Sequence, residues 1–212
     1  KKLISEIKKN KNLSLKILAT GSHLIKKYGY TLNEIKNDKN KVDYKVNLSI
    51  NSDKPYDISK AISFGIEKFS KNLSYDRPDL AIVLGDRYEI FSFVVSANIH
   101  GVPIGHLHGG EITQGAIDDS LRHSITKMSD IHFVANLKYL KRVAQIKNST
   151  KKIYNVGGLG IDNIKKIKFY DKKTLKNKHN FIFNKYNILV VYHSETVSPD
   201  QNRNNFLEII KA

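Results

Sequence analysis

Residues 79–89 read DLAIVLGDRYE and residues 102–111 read VPIGHLHGGE, and these two stretches decide the fold. Each begins as an apolar run of strand length, predicted here as strands over residues 79–84 and 102–106. Each then ends in glycine and titratable residues, namely Asp86, Arg87 and Glu89 in the first and His108 and Glu111 in the second. Titratable groups crowded at the ends of buried strands indicate a functional site.

Apolar runs alternate with amphipathic segments on both sides of these stretches. Further strands are predicted over residues 13–19, 131–135 and 152–156, and helices over residues 58–73, 88–99, 117–128 and 138–146. Short apolar strands separated by helices are typical of a parallel sheet covered on both faces, so the fold class is α/β with a Rossmann-like sheet. Ligands of such sheets bind beyond the carboxyl ends of the strands, where Asp86, Glu111 and Gly157 fall.

A second domain is predicted to begin near the end of the chain. After a first domain over residues 1–168, a polar, lysine-rich passage over residues 169–186 is predicted as a linker. Residues 187–212 then start the second domain, with a strand over residues 187–192 that ends at His193 and a helix from about Asn204. The chain opens on Lys1 already in a helical pattern, which predicts a fragment.

The charge balance restricts the partners. Lys+Arg number 36 and Asp+Glu 20, which gives +16. The excess is mostly lysine, scattered along the chain, and codons rich in A and T would produce it, so we expect no nucleic-acid partner. There is no cysteine, and no apolar run approaches the ~20 residues of a membrane span, so we expect a cytoplasmic protein without membrane association. The five arginines include Arg87 and Arg122, both inside the charged stretch.

Two ligand motifs were considered and fail. Gly158-Leu159-Gly160 lacks the third glycine of a dinucleotide fingerprint, since Asn163 stands there. Together with Gly85-Asp86, Gly105-His106-Leu107-His108 resembles part of a metallophosphoesterase signature, but the early Asp-x-His and the later Asn-His are missing. We therefore expect no metal and no cofactor. For His106 the alternative is a satisfied structural histidine at a strand end.

The helix predicted from Ile117 has two faces. Ile117, Leu121, Ile125 and Met128 make a core face, while Asp118 pairs with Arg122, and Asp119 with His123, one turn along. These pairs either stabilise the surface of a helix or serve function. The helix start follows the glycine loop, and its positive end suits an anionic leaving group.

Several motifs in unbroken order resemble the hydrolysing UDP-N-acetylglucosamine 2-epimerases of sialic-acid and legionaminic-acid biosynthesis. They run from Ala19-Thr20-Gly21-Ser22-His23-Leu24 and Tyr28-Gly29, through Pro78-Asp79, Gly85-Asp86-Arg87-Tyr88-Glu89 and His106-x-His108-Gly109-Gly110-Glu111, to Asp118-Asp119-Ser120-x-Arg122-His123-Ser124-Ile125-Thr126-Lys127 and Val156-Gly157.

The resemblance implies a two-domain fold like that of the GT-B glycosyltransferases, of which this chain would be most of the first domain. The family's opening strand would precede Lys1 and most of its second domain would follow Ala212, so the fragment alone would be inactive. In the implied reaction, the nucleoside diphosphate is eliminated from the sugar, which leaves a glycal. Water then adds to the glycal with inversion of the configuration at carbon 2. The open alternative is a metal-dependent phosphoesterase-like or non-catalytic phosphoester-binding domain.

The resemblance also implies site residues. The catalytic candidates are Asp86, Glu111, Asp118 and His108, and the substrate-binding candidates are Arg87, His193, Arg122 and His23. Arg87 would hold the diphosphate or orient Asp86. His108 stands where the sialic-acid branch has a glutamate, a change similar to the legionaminic-acid branch, whose substrate carries two acetamido groups. The implied partner is a nucleotide sugar, and the implied assembly is a homodimer or homotetramer.

Overall fold

The computed structural model describes residues 2–50, 52–165, 167–193 and 201–211, and in them two parallel sheets. The first pairs β1 (Leu18–Thr20) with β2 (Tyr44–Val46), and the second has the order β3 (Ala81–Leu84), β4 (Ile104–Leu107), β5 (Ile131–Val134) and β6 (Ile153–Asn155). The helices are α1 (Lys2–Lys9), α2 (Leu32–Asn37), α3 (Pro55–Tyr75), α4 (Tyr88–Ile99), α5 (Asp118–Met128), α6 (Leu137–Lys147), α7 (Leu159–Ile164), α8 (Lys172–His179) and α9 (Asn202–Lys211). The predicted α/β class with parallel strands is confirmed.

Helices α4 to α6, which connect the four strands, cover one face of the larger sheet, and α3 packs against α4. The four strands lie in the sheet in the order in which they occur in the chain. Each crossover therefore leads to the next strand in the same direction, and because crossovers share one hand, the connecting helices lie on one face of the sheet. Val83 and Ile104 face this side and are 5% and 0% exposed. On the opposite face Ile82 and Leu84 are 42% and 55% exposed. The prediction that both faces are covered is therefore wrong for β3 within the described residues.

The helices that frame the carboxyl edge of the sheet were well predicted. Helix α4 has the predicted bounds, and α5 begins one residue later than expected. Ile125 is fully buried, with Leu121 and Met128 packed beside the core. Ile117 was predicted on this core face, but it precedes the helix and is 49% exposed.

Other segments differ from the prediction. The first strand is shorter than expected, covering only Leu18–Thr20, and the sequence pattern missed β2 and α2. Residues 187–192 form no strand, and Ile188 and Leu189 are 89% exposed, so that prediction is wrong. Helix α8 lies inside the predicted linker, and α9 begins at Asn202, two residues before the expected start.

Candidate active site

The carboxyl ends of β3 and β4 meet the start of α5, as the sequence predicts. Gly85, with a φ of +80°, ends β3, and its amide donates to the Leu107 carbonyl oxygen at 3.1 Å. A left-handed φ favours glycine, and here it turns the chain so that Asp86 follows at the sheet edge. Asp86 therefore lies next to the turn that carries His108.

Asp86 is held by Arg122. Nη2 of Arg122 donates to Oδ2 of Asp86, and the two side chains are 8% and 18% exposed. A buried charge needs such a partner, since the cost of removing it from water is large. The prediction that Arg122 pairs with Asp118 is wrong, because its guanidinium reaches across to the strand end. Arg87 was the other residue suggested to orient Asp86, but its side-chain hydrogen bonds go to Glu89.

Arg87 pairs instead with Glu89. Its Nε lies 3.1 Å from Oε2 and its Nη2 3.3 Å from Oε1, while its own side chain is 54% exposed and that of Glu89 only 5%. Burial lowers the pKa of Arg87, but the Glu89 carboxylate, helped by Asp118, more than offsets this, so the pKa is raised overall. A half-exposed guanidinium is thus fixed at the site by a buried carboxylate.

Glu89 is a residue that the candidate set missed. Its carboxylate group packs under the turn Gly21–Leu24, where a Cβ on Gly21 would meet the Glu89 Cγ at 2.8 Å. The available signal was its position two residues after Arg87 on the first turn of a helix. A buried acid there is expected to have a cationic partner.

His108 and Glu111 form a second pair. The His108 Nδ1 lies 2.6 Å from Glu111 Oε1, and both side chains are 26% exposed. His108 has a φ of +63°, an uncommon backbone conformation for a residue with a Cβ. Such strained positions concentrate at functional sites.

The turn between the members of this pair is fixed by α6. Gly110 has a φ of +78°, and a Cβ there would lie 2.7 Å from the Tyr139 carbonyl oxygen. Arg142 donates through Nη1 to the Gly110 carbonyl oxygen. Arg142 was also missed as a site residue, although its being one of only five arginines in a lysine-rich chain was a signal.

Asp118 and Asp119 open α5 and differ in their contacts. Asp119 accepts a hydrogen bond from the Thr113 amide at 2.8 Å and lies 3.7 Å from His123 Nε2, so the predicted Asp119–His123 pair is confirmed. The charge of Asp118 contributes to the raised pKa of Arg87. Asp118 is the first residue of α5 and therefore lies at the positive end of the helix.

His106 lies beneath the site and is fully buried. Its Nε2 is 2.8 Å from the Gly85 carbonyl oxygen and its Nδ1 3.2 Å from Thr126 Oγ1. Burial lowers its pKa to about 4. The structural-histidine interpretation is confirmed, since both ring nitrogens are occupied. In the described part of the chain, no group of three His, Asp or Glu residues is arranged to hold a metal ion.

Two candidates lie apart from these groups. His23, in the turn Gly21–Leu24, has its Nδ1 2.7 Å from Thr31 Oγ1. His193 is exposed and lies in the segment after α8. At this edge the structure thus forms three pairs, Asp86 with Arg122, His108 with Glu111 and Arg87 with Glu89, and Asp118 opens the adjacent helix.

A parallel sheet with acids and arginines at its carboxyl edge defines the chain as a Rossmann-like domain. Solved structures with this fold include a UDP-GlcNAc 2-epimerase from Neisseria meningitidis bound to UDP-GlcNAc, with a TM-score of 0.69 and 19% identity over 86% of this chain and 50% of that chain. An epimerase from Methanocaldococcus jannaschii has a TM-score of 0.63 and 15% identity over 74% of this chain and 41% of its own.

Sequence comparison identifies the family. The UDP-N-acetylglucosamine 2-epimerase family pattern matches residues 5–212, and the chain belongs to that family. A GDP/UDP-N,N'-diacetylbacillosamine 2-epimerase (hydrolysing) from Campylobacter jejuni is 36% identical over 99% of this chain and 54% of its own. The polysialic acid biosynthesis protein P7 of Escherichia coli is 32% identical over 100% and 54%. The chain thus spans about half the length of these relatives.

No helix among the described residues is both long enough and apolar enough to cross a membrane.

Proposed function

We propose that a protein carrying this chain is a hydrolysing 2-epimerase that acts on a UDP- or GDP-linked N-acetylated amino sugar. One observation carries the proposal. Asp86, His108, Glu111 and Asp118 gather at one sheet edge with an exposed arginine, Arg87, in a chain of this family. Proton-transfer groups beside a cation suit a reaction that removes a proton while a diphosphate leaves.

The chemistry explains why the site needs several acids and bases. Carbon 2 of the sugar is not next to a carbonyl, so simple removal of its proton is too slow. In an elimination, the C2–H and C1–O bonds break, their electrons form the C1=C2 bond and the diphosphate, and a glycal remains. Water then adds its hydroxyl to C1 and a proton to C2 from the opposite side, which gives the manno configuration.

Each residue has a proposed role. Arg122 occupies Oδ2 of Asp86, and we assign a proton transfer to Oδ1 of that carboxylate. Asp118 is the second proton-transfer group, and the His108–Glu111 pair is the third. Each such group contributes about 10²- to 10⁴-fold in rate. Arg87 and the positive end of α5 bind the leaving diphosphate, while His23 and His193 bind other parts of the nucleotide sugar.

We infer a 2,4-diacetamido-trideoxy sugar as the preferred substrate and UDP-N-acetylglucosamine as the weaker one. His108 supports this, because it stands where the sialic-acid branch has glutamate. The relatives named as diacetylbacillosamine 2-epimerases, from Campylobacter jejuni and from Legionella pneumophila, are 36% and 29% identical to this chain. These names support the same substrate class.

The proposal includes the rest of the protein. Residues 1–168 form the first domain, residues 169–186 join it to the second, and residues 187–212 begin that second domain. Between the two domains the nucleotide sugar would bind. We expect the protein to work in the cytoplasm as a homodimer or homotetramer, on the strength of the family resemblance.

The test uses a protein that carries both halves found in the relatives. It is incubated with UDP-N-acetylglucosamine and, separately, with the diacetamido analogue, and phosphorus NMR follows the nucleotide product. We expect release of UDP, unchanged by EDTA. Release of UMP, or release that EDTA abolishes, would instead support the metal-dependent phosphoesterase alternative.

A further inference from the structure

We propose that His106 is a positioning residue, which sets the location of Asp86 and of the turn at Gly109 and Gly110. The inference rests on the proposed function for its kinetic part. It rests on contacts within this chain for the rest. His106 does not face the substrate side of the site, since its side chain is fully buried and both ring nitrogens are occupied.

The first contact fixes the end of β3. A carbonyl oxygen can only accept a hydrogen bond, so Nε2 of His106 carries the proton and donates to Gly85 at 2.8 Å. Gly85 immediately precedes Asp86, and its φ of +80° makes it a bend in the chain. A bond to this carbonyl therefore holds the bend from which the Asp86 side chain projects.

The second contact reaches the helix that carries Arg122. Thr126 Oγ1 lies 3.2 Å from His106 Nδ1 and 2.9 Å from the Arg122 carbonyl oxygen, so its single proton serves two acceptors. Arg122 in turn donates to Asp86. His106 thus touches both supports of Asp86, the strand end before it and the helix turn that holds it.

The third contact is with the glycine turn. A Cβ on Gly109 would lie 3.0 Å from both His106 Nδ1 and Thr126 Oγ1, so the turn rests directly on these two side chains. Gly109 joins His108 to the rest of the turn leading to Glu111. One buried imidazole therefore links the locations of Asp86 and of the His108–Glu111 pair.

His132 provides a matched control. It is the register partner of His106 on β5, it is 1% exposed, and burial lowers its pKa to about 4 as well. Within the described residues its ring nitrogens make no hydrogen bond of ordinary geometry, although the nearby Ser129 backbone acts to raise its pKa against the effect of burial. Replacing either histidine disturbs the same row of the sheet, but only His106 bonds to Gly85.

The first measurement uses this chain and needs no activity. Proton–nitrogen NMR spectra of His106→Asn, His106→Gln and His132→Asn are compared with the parent at the amides of Asp86, Gly109 and Gly110. We expect His106→Asn to shift all three signals, His106→Gln to shift them less because its longer amide still reaches Gly85, and His132→Asn to leave them in place. Thr126→Val, which removes only the hydroxyl, is expected to shift Gly109 and serves if His106→Asn does not fold.

The second measurement is steady-state kinetics of a protein that contains both domains found in the relatives. We expect His106→Asn to lower kcat about 10- to 100-fold with KM changed less than about threefold, because small displacements of catalytic groups are costly. His106→Gln should recover part of the loss, and His132→Asn should stay within about threefold of the parent. Equal losses in the two Asn variants, or unmoved amide signals, would overturn the inference. Amide shifts as expected in a parent without epimerase activity would uphold the positioning role and reject the proposed function.

Discussion

Asp118 and Asp119 are adjacent residues of the same type, and the structure gives them different surroundings. Asp119 binds the Thr113 amide, whereas Asp118 acts electrostatically on Arg87. We expect Asp118→Asn to reduce turnover at least ~10²-fold with little change in stability, because the amide keeps the size but cannot transfer a proton. Asp119→Asn is the matched control and should retain most turnover.

Steady-state kinetics and urea unfolding of both variants check this expectation. Near-normal turnover in Asp118→Asn would show that the residue serves only the start of the helix. A similar loss in both variants would point to damage to α5 itself.

His108 is expected to help select the substrate. A site built to hydrogen-bond a second acetamido group rejects a sugar without it more strongly than an apolar pocket could. In His108→Glu, a carboxylate replaces the imidazole that faces Glu111. We expect kcat/KM for the diacetamido substrate to fall more than that for UDP-N-acetylglucosamine. Equal losses would assign His108 to the shared chemistry, and no loss would make it a structural residue.

The sequence predicted the residue types of the site and the Asp119–His123 pair, but not the pairing of Arg122 or of Arg87. Asp118 and Arg122 satisfy the spacing of a helical ion pair, but this rule considers only neighbours along one helix. The partner of Arg122 is Asp86, 36 residues earlier in the chain. Glu89 and Arg142 were missed because their roles depend on which segments pack against them.

Among the elements, the glycine turns after β3 and β4 separate the effect of backbone strain from that of crowding. Gly85 and Gly110 have similar φ values, +80° and +78°, but a Cβ on Gly85 meets nothing within 4 Å, whereas one on Gly110 meets Tyr139 and Val143 at 2.7 and 2.8 Å. We expect Gly85→Ala to lower the free energy of unfolding by about 1 kcal/mol, and Gly110→Ala to lower it by at least about 2 kcal/mol. Urea unfolding measures both. Equal losses of unfolding free energy in the two variants would mean that α6 moves away from the added methyl group at little cost.

Strands β4 and β5 make the fold sensitive to acid. Burial lowers the pKa of His106 to about 4, with His108 and His123 adding to the effect, and that of His132 to about 4, with His106 and Lys147 outweighing Asp130. The unfolded chain binds protons near pH 6.5, so both histidines stabilise the fold above that pH, and this stability is lost as pH falls towards 4. At about pH 5 each of the two histidines would lower the free energy of unfolding by about 2 kcal/mol relative to its value above pH 6.5.

Urea unfolding of this chain at about pH 7 and pH 5 measures that loss. His132→Gln should remove about half of the pH dependence. A free energy of unfolding that does not change between these pH values would contradict the burial of the two histidines.

The elements that the sequence predicted well are those with long periodic patterns. Helices α4 and α5 show clear faces, whereas β2 has three residues and α2 six, too short for a pattern to emerge. Residues 187–192 have the composition of a buried strand, yet residues 187–191 are exposed and the segment pairs with no strand within the described structure. A strand forms only where a neighbouring strand accepts its hydrogen bonds, and composition cannot supply one.

For the whole molecule, the alternation of strands and helices was enough to predict the parallel sheet and the side on which its site lies. It could not predict that the described strands form two sheets, or that α4 to α6 share one face, because both depend on strand order. The charged groups of the site follow the carboxyl ends of β3 and β4 or open α5, and these ends meet at one edge of the sheet.

In the proposed reaction, the site removes the carbon 2 proton while the diphosphate leaves carbon 1. The most direct measurement follows, by proton NMR, the reaction of a protein that contains both domains with the diacetamido nucleotide sugar in deuterium oxide. We expect UDP release together with a manno-configured sugar that carries deuterium at carbon 2. A free sugar that keeps its original proton and configuration at carbon 2 would contradict it.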